Sequence, residues 1–375
     1  MSSFNLAQLL PALETGGVET GVVDLSNYLS SQKIRNIIIS NGGKMVERLN
    51  DNHSKHYKLN VNTKNFILYP SLANKINNLL IQNNINILHV RSRGPAWMVN
   101  LIKNKNYNTV ATFHNVYNGK NFLKKYYNKG LAKMDYIIAN SNYVKEQIIK
   151  KYNLKKNVTV ISRGIDTDFF DIKKINLKEI ESIKEKINYN TSRKIILFPG
   201  RLTSWKGQNE FLKKLERFKD DKYIFYFVGG ITSKSYLKEI NNQINKLELN
   251  NICKVLGKLN NHELRALISL SYIILSLPKI PEGFGRIISE ALSMNKIVLG
   301  FDYGGVRDQL NKLDNFFKIE PQNYNEVFFK ISEIEKFTSV EIENLNKFSR
   351  DHIVNNFSLK NMVKSYEEFY QSILV

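Results

Sequence analysis

The chain has 375 residues, of which 42% are hydrophobic and 11% aromatic. That is apolar material for two or three cores, and it excludes a disordered tail or one small domain. The formal net charge is +21, from 55 Lys+Arg against 34 Asp+Glu, which brings nucleic acid, an anionic membrane surface and an anionic substrate forward as partners.

Asn, Ile, Tyr and Phe share AT-rich codons with Lys and are abundant too, as in Asn77–Ile87 (NNLLIQNNINI). Part of the lysine excess is therefore a compositional background on solvated faces. The excess is also uneven. Residues 1–170 carry 23 Lys+Arg and 9 Asp+Glu, net +14, whereas residues 171–375 carry 32 and 25, net +7. A drift acting on the whole chain does not by itself explain that difference. Cys253 is the one cysteine, so an internal disulfide framework is excluded and a reducing compartment is expected. Met1–Leu13 lacks a basic leader, and its apolar run is broken by Pro11 and closed by Glu14, unlike a signal peptide. No stretch approaches the roughly 18 apolar residues of a spanning helix. The expected location is the cytoplasm, including the inner face of the cytoplasmic membrane.

Short apolar runs alternate with amphipathic stretches throughout, the pattern of βα units around parallel sheets. Strands are predicted at Asn5–Leu10, Arg35–Ser40, Ile85–Val90, Thr109–Phe113, Tyr136–Ala139 and Val158–Ser162, with helices between them, such as Glu19–Ser31 and Tyr143–Tyr152. Lys173–Lys186 is charged, has few bulky apolar residues and no strand signal, and reads as a connector containing a helix. A second series of strands is predicted at Lys194–Pro199, Tyr223–Val228, Ile252–Leu256, Ile273–Leu277 and Ile297–Phe301, and the pattern turns helical from about Asn323. The expected division is a first domain at 1–170, a connector at 171–192, a second domain at 193–355, and a C-terminal helix at 356–375 that packs back on the first domain. The expected fold class is α/β, with two Rossmann-like doubly wound domains facing across a cleft at the carboxyl ends of their strands.

After the first strand comes Glu14-Thr15-Gly16-Gly17-Val18-Glu19. Paired glycines permit φ > 0 and close backbone approach, and a helix N-terminus offers N–H groups to an anion; a plain βα turn explains the pair equally well. The G-x-G-x-x-G of a nicotinamide site is absent there, and Gly283-Phe284-Gly285 has Ile288 at the third glycine position. Gly200–Lys206 has a superficial P-loop look, but Trp205 replaces the second glycine and Gly207 stands where Ser or Thr would hold magnesium. A dehydrogenase and a P-loop NTPase are thus disfavoured. What remains is a pair of cations just past a strand end, Arg201 able to fork onto a phosphate and Lys206 able to add a point charge. Pro281–Leu292 (PEGFGRIISEAL) follows a later strand and opens a helix, so its loop can present N–H groups and a dipole to a diphosphate. Glu282 and Glu290, eight residues apart, can reach different parts of one extended ligand, such as sugar hydroxyls and ribose hydroxyls.

On these residues the sequence resembles the retaining glycosyltransferases of family 4, which have the GT-B fold. Glu282 and Glu290 meet that family's E-x7-E motif. The resemblance extends through Gly16-Gly17-Val18-Glu19, Phe113-His114-Asn115, Arg163-Gly164-Ile165-Asp166, Gly200-Arg201 with Lys206-Gly207, and Gly304-Gly305-Val306. Leu10–Glu19 and Arg91–Trp97 are most similar to bacterial members that build the lipopolysaccharide core. The resemblance implies that Arg201 and Lys206 bind the donor diphosphate and stabilise the departing nucleotide in place of a metal. It implies that Glu290 holds the ribose, that Glu282 faces the transferred sugar, and that Gly283, Phe284 and Gly285 line the donor. Gly16 and Gly17 would close over the phosphates, and His114 would lie near the donor sugar and the acceptor. Two departures stand out: Asn295-Lys296-Ile297 replaces a common Gly-x-Pro, and Thr20 stands where related bacterial sequences carry Arg.

The expected activity is transfer of a sugar from a nucleotide-diphosphate sugar to a hydroxyl of a lipid-linked glycan, with retention and with neither metal nor other cofactor. Arg91 and Arg93, beyond a strand end, are candidates to meet an anionic acceptor, or are structural. Lys120–Lys133 mixes Lys with Phe, Leu and Tyr, as an interfacial helix on an anionic membrane would, or as an ordinary amphipathic helix does. A nucleic-acid-binding protein is the alternative of another class, though neither an RNP-like aromatic motif nor a helix-turn-helix signature is present. A metal-dependent transferase using the D-x-D of Asp166 and Asp168 is the other, against a reading of these acids as turn caps. His53 and His56 read as surface residues.

Overall fold

The structure is a computed structural model, and it describes residues 4–119, 121–218 and 220–374. The chain forms two compact units, one running to Gly164 and resuming at Leu359, the other spanning Ile165–Ser358.

The first unit is built on seven parallel strands: β1 (Leu6–Leu9), β2 (Asn36–Ser40), β3 (Ser54–Lys58), β4 (Ile87–Val90), β5 (Asn108–Phe113), β6 (Tyr136–Ala139) and β7 (Val158–Val160), in the order β3-β2-β1-β4-β5-β6-β7. Every residue of β1, β2 and β4 is buried, as expected where helices cover both faces of a parallel sheet. Strand order reverses between β1 and β4. The loops after these two strands carry Gly16 and Arg91, at the kind of switch point where open α/β sheets bind ligands. β3 is absent from the expected strands because its sequence, Ser-Lys-His-Tyr-Lys, is polar and lies at the sheet edge, where Ser54 alone of the five is buried. Its His56, expected at the surface, is half-buried and bonds Ser40 Oγ at 2.8 Å.

The helix Leu359–Ser372 belongs to this unit. Met362, Val363, Tyr366 and Tyr370 are buried among Phe4, Leu6, Leu29, Ile87 and Val110. Polar groups tie it down as well. Fully buried His89 on β4 is 2.6 Å from Tyr370 Oη through Nδ1 and 2.7 Å from Thr112 Oγ1 through Nε2. Arg91 donates to Tyr366 Oη at 3.1 Å and to Gln8 Oε1 at 2.6 Å.

The second unit holds six parallel strands: β8 (Lys194–Pro199), β9 (Tyr223–Val228), β10 (Cys253–Gly257), β11 (Ser271–Ser276), β12 (Ile297–Phe301) and the two-residue β13 (Lys318–Ile319), in the order β10-β9-β8-β11-β12-β13. Here the order reverses between β8 and β11, whose following loops are Gly200–Gly207 and Leu277–Gly285. The stretch expected as a connector is part of this unit. Its helix Leu177–Ile187 buries Ile183 and Ile187 in the second core. Glu179 on that helix takes a forked pair of bonds, 2.8 and 2.7 Å, from Arg265. The unit starts at Ile165 rather than beyond residue 170, because Ile165 donates its N–H to Phe357 O at 2.9 Å and Phe170 is buried in the second core. Cys253 is buried at the start of β10, and burial pushes its thiol up to about 12, as suits a packing residue.

Burial first, then Arg91 and His114, holds His89 well below the ordinary histidine value of 6.5. Below about pH 6.5 the unfolded chain takes up a proton that the folded unit refuses, so this part of the stability is complete above that pH and declines as the pH falls. Thermal unfolding followed from about pH 7.5 to 5.5 should show a falling midpoint, and His89→Gln should flatten the slope. A profile that is already flat, or a slope that the substitution leaves alone, contradicts this account.

Candidate functional site

The second unit brings three loops together at its switch point. The first leaves β8 at Gly200, whose φ is +151°, in the region that favours glycine. A Cβ on Gly229 would lie 2.0 Å from Gly200 O, so the turns after β8 and β9 run backbone against backbone. This leads through Arg201 to a 3-10 turn at Ser204–Lys206, closed by Gly207 and the helix Gln208–Leu215. Buried Gln208 reaches back to donate to Arg201 O at 3.1 Å, and Lys279 N–H donates to Trp205 O at 2.8 Å. The Arg201 and Lys206 cations lie 5.8 and 4.8 Å from the Trp205 ring.

The second loop, Pro281–Gly285, ends in Gly285, which takes a left-handed conformation and caps the helix Arg286–Ser293. Phe284 is buried against Phe357, with ring centroids 5.8 Å apart. Glu282 forms an ion pair with Lys206, each side chain being only 12–13% exposed. About one turn into the helix, Glu290 is buried and pairs with Arg286 at 2.9 Å. Arg286 Nε is itself buried and lacks a partner among the described residues.

The third loop, Gly304–Gly305, supports the second. Gly305 N–H donates to Glu282 O at 2.8 Å. A Cβ on Gly305 would come within 2.3 Å of Gly283 O and one on Gly304 within 2.7 Å of Glu282 O, so any side chain here would push the glutamate loop away. Fully buried Gln309 completes the support. Its Nε2 donates to Phe284 O and, at 3.2 Å, to Gly305 O, while Ser289 Oγ donates to its Oε1. Arg201, Lys206, Glu282, Gly283, Phe284, Gly285 and Glu290 thus fall on one loop cluster. Arg286 and Gln309 belong to it too and were not singled out in the sequence. The cue for Arg286 was its place four residues before Glu290 on a helix; nothing in the sequence marked Gln309.

In the first unit Gly16 is the N-cap of the helix Gly17–Ser31, but its φ of −176° is ordinary extended backbone. The positive φ expected of the glycine pair is therefore not found there. An added Cβ would first meet the movable Glu19 carboxylate, at 2.4 Å. His114 follows β5, and both of its ring nitrogens are buried without a partner among the described residues, as are Asn140 Oδ1 and Arg91 Nε. His114, Asn140 and Arg91 line a cavity of about 10 Å3 together with Arg163 and Tyr366, roughly the room one water needs. Burial, then Arg163 and Arg91, holds His114 well below the ordinary value, so its ring is neutral near pH 7 and can donate or accept. Arg91 is buried and donates to Tyr366 and Gln8. Arg93 is also engaged, donating to Asn128 Oδ1 at 2.5 Å with its guanidinium 4.1 Å from the Tyr117 ring. Both arginines are thus engaged within the first unit.

The D-x-D pair is likewise occupied. Asp166 Oδ1 accepts from the N–H groups of Asp168 and Phe169 at 3.1 and 2.9 Å, closing a turn, and Asp168 pairs with Lys174 at 2.6 Å. No cluster of three or more His, Cys, Asp or Glu able to hold a metal occurs among the described residues. No helix among them is long and apolar enough to cross a membrane.

Residues 15–169 match the model of Glycosyltransferase Family 4, and residues 179–349 that of Glycosyl transferases group 1. An uncharacterised glycosyltransferase of Methanocaldococcus jannaschii is 26% identical over 271 residues, 68% of this chain and 64% of the relative. The chain spans about three fifths of the length of the curated relatives it matches first, 64% and 59%. A solved glycosyltransferase from Rickettsia africae is 32% identical, with a TM-score of 0.89 and coverage of 100% of this chain and 99% of that one. Anabaena HepE, solved with UDP and glucose, is 17% identical with a TM-score of 0.81 over 98% of this chain and 100% of its own, and is similar in fold. With its two parallel-sheet units and these matches, the chain belongs to the family 4 and group 1 glycosyltransferases of the GT-B fold.

Proposed function

We propose that the protein transfers a sugar from a nucleotide-diphosphate sugar to a hydroxyl of a lipid-linked glycan of the cell envelope, of which lipopolysaccharide is one kind. It acts with retention of configuration and without a metal or other cofactor, at the cytoplasmic face of a membrane. The observation that carries the donor half is the loop cluster of the second unit, where two cations, two buried carboxylates and the cap of the helix Arg286–Ser293 share one switch point. UDP, which Anabaena HepE binds in its solved complex, is the first nucleotide to try.

In this reading Arg201 and Lys206 hold the diphosphate and take up the charge that grows on it as the sugar leaves. Preorganised cations serve this purpose without a metal. Glu282 accepts from hydroxyls of the transferred sugar, and Glu290 from the ribose. Lys206 and Glu282 neutralise each other before the donor arrives, so the incoming diphosphate shares Lys206 and leaves Glu282 free to bind sugar. In the first unit, Gly16 and Gly17 serve the phosphates through the backbone of a helix start, and neutral His114 lies near the donor sugar and the acceptor. Nucleic acid is not a partner in this reading.

UDP, GDP and ADP should be compared by thermal shift, and at least one should raise the unfolding midpoint. Arg201→Ala and Glu290→Ala should abolish that rise, and either should lower turnover about 100-fold or more, while EDTA leaves it unchanged. If no nucleotide stabilises the protein and Glu290→Ala keeps full turnover, the donor assignment is wrong. Loss of activity with EDTA, restored by manganese, would defeat the metal-free mechanism.

Arg286 acts through Glu290 as a positioning residue. Arg286→Ala should raise the donor KM about tenfold with a smaller change in kcat, and should weaken the preference for a ribose over a 2′-deoxyribose donor, with partial rescue in Arg286→Lys. An unchanged preference between the two sugars would show that the pair only braces the helix.

A further inference from the structure

Residues 52–134, between Asp51 and Asp135, form a run of 83 positions with no Asp or Glu and 13 Lys and Arg. The rest of residues 1–170 carry 10 basic and 9 acidic residues, so this run supplies +13 of that half's +14. With 34 acidic residues in 375, a run of that length would be expected to hold about seven. Codon drift adds lysine; it does not remove every acid from one stretch and leave the flanks balanced.

The same run holds all the exposed large apolar side chains of the first unit among the described residues. Two segments dominate, the 3-10 turn Phe66–Leu68 and the helix Phe122–Asn128. Ile67 is 86% exposed, Phe122 78%, Leu123 75% and Phe66 62%. They come from distant parts of the sequence but are neighbours in space, because the Phe66 ring sits 6.3 Å from that of Tyr127, edge-on, and 5.0 Å from that of Tyr69. Their base is anchored: Tyr126 stacks on Trp97 at 4.9 Å, and Trp97 Nε1 donates to Tyr127 O at 2.9 Å. Lys124, Lys125 and Lys129 are exposed around the apolar tips. Water exacts a cost for leaving such side chains bare, and a nucleic-acid duplex would neutralise the lysines without covering them. A surface with phosphate at its rim and hydrocarbon beneath satisfies both.

We propose that this face docks on an anionic phospholipid bilayer. Phe66, Ile67, Phe122 and Leu123 enter the boundary between headgroups and acyl chains, while Lys124, Lys125 and Lys129 meet lipid phosphates. The inference deepens the reading of a lipid-linked acceptor and is independent of the donor assignment in the second unit.

The test is cosedimentation of the full chain with vesicles of phosphatidylcholine alone and of phosphatidylcholine with phosphatidylglycerol. Binding should require the anionic lipid and weaken with salt. The double variant Ile67→Glu/Leu123→Glu should lose about tenfold or more in binding, whereas Leu177→Glu, an equally exposed position in the second unit, should not. Thermal shift by UDP, run on the same samples, reports folding and donor binding separately, so that failure of the docking face and failure of the donor site are distinguishable. Equal binding to both vesicle types, or full binding by the double variant, overturns the proposal. So does tight salt-sensitive binding to DNA that displaces the vesicles.

Discussion

The geometry of the second unit depends on one close approach. Gly305 comes near enough to the loop after β11 to donate its N–H to Glu282 O at 2.8 Å, and a Cβ at that position would lie 2.3 Å from Gly283 O. With no side chain between them, the backbones of two loops define where Glu282 stands and how the helix Arg286–Ser293 begins. Gln309 then satisfies the carbonyls that this approach would otherwise bury unpaired, which in a dry interior is costly. Lys206 is held from the other side, by the turn that Gly200, Gly207 and Gln208 make possible. Three loops, each with glycine at the contact, place cations and carboxylates on rigid supports, as a site that stabilises developing charge requires.

The charge arrangement follows from this rigidity. Each expected donor-binding glutamate already has a cation, Lys206 for Glu282 and Arg286 for Glu290. A buried carboxylate left alone would be expensive, so pairing makes the empty site tolerable. A diphosphate, which is itself anionic, competes for those cations as it enters. The first unit handles polarity differently. His89, Arg91, Thr112, Tyr366 and Tyr370 form a buried network between the sheet and the returning C-terminal helix, and their side chains are used up in holding it. His114, beside this network, keeps both ring nitrogens without a partner among the described residues.

Most of the fold was legible in the sequence. Buried parallel strands are continuous apolar runs, and those at Lys194–Pro199, Tyr223–Val228 and Ile297–Phe301 occur at the predicted limits. β3 and β13 were not, because an edge strand shares its hydrogen bonds on one side only and has no need of an apolar run. The helix Leu177–Ile187 looked like a connector because its composition is charged; its two buried isoleucines and the Glu179–Arg265 fork make it part of a core. Within the site, residues with a strong local signature, such as the glycine loop with its two glutamates, were readable. The surroundings of Arg91 were not readable, because a loop arginine in sequence gives no sign that Gln8 and Tyr366 lie against it. Gln309 was invisible for the same reason: its role is set by the carbonyls of Phe284 and Gly305 and the hydroxyl of Ser289, brought near it only by folding.

The uneven charge that first marks the sequence separates into a small share aimed at a diphosphate, Arg201 and Lys206, and a much larger share carried by the acid-free run 52–134 of the other unit. The central claim is that the glycine-supported loops after β8, β11 and β12 form the nucleotide-diphosphate site. Hydrogen–deuterium exchange with and without UDP tests it most directly. Slower exchange concentrated in residues 200–207 and 282–290, and lost in Arg201→Ala, is the predicted result; nucleotide-dependent protection elsewhere in the second unit, with these loops unchanged, would contradict it.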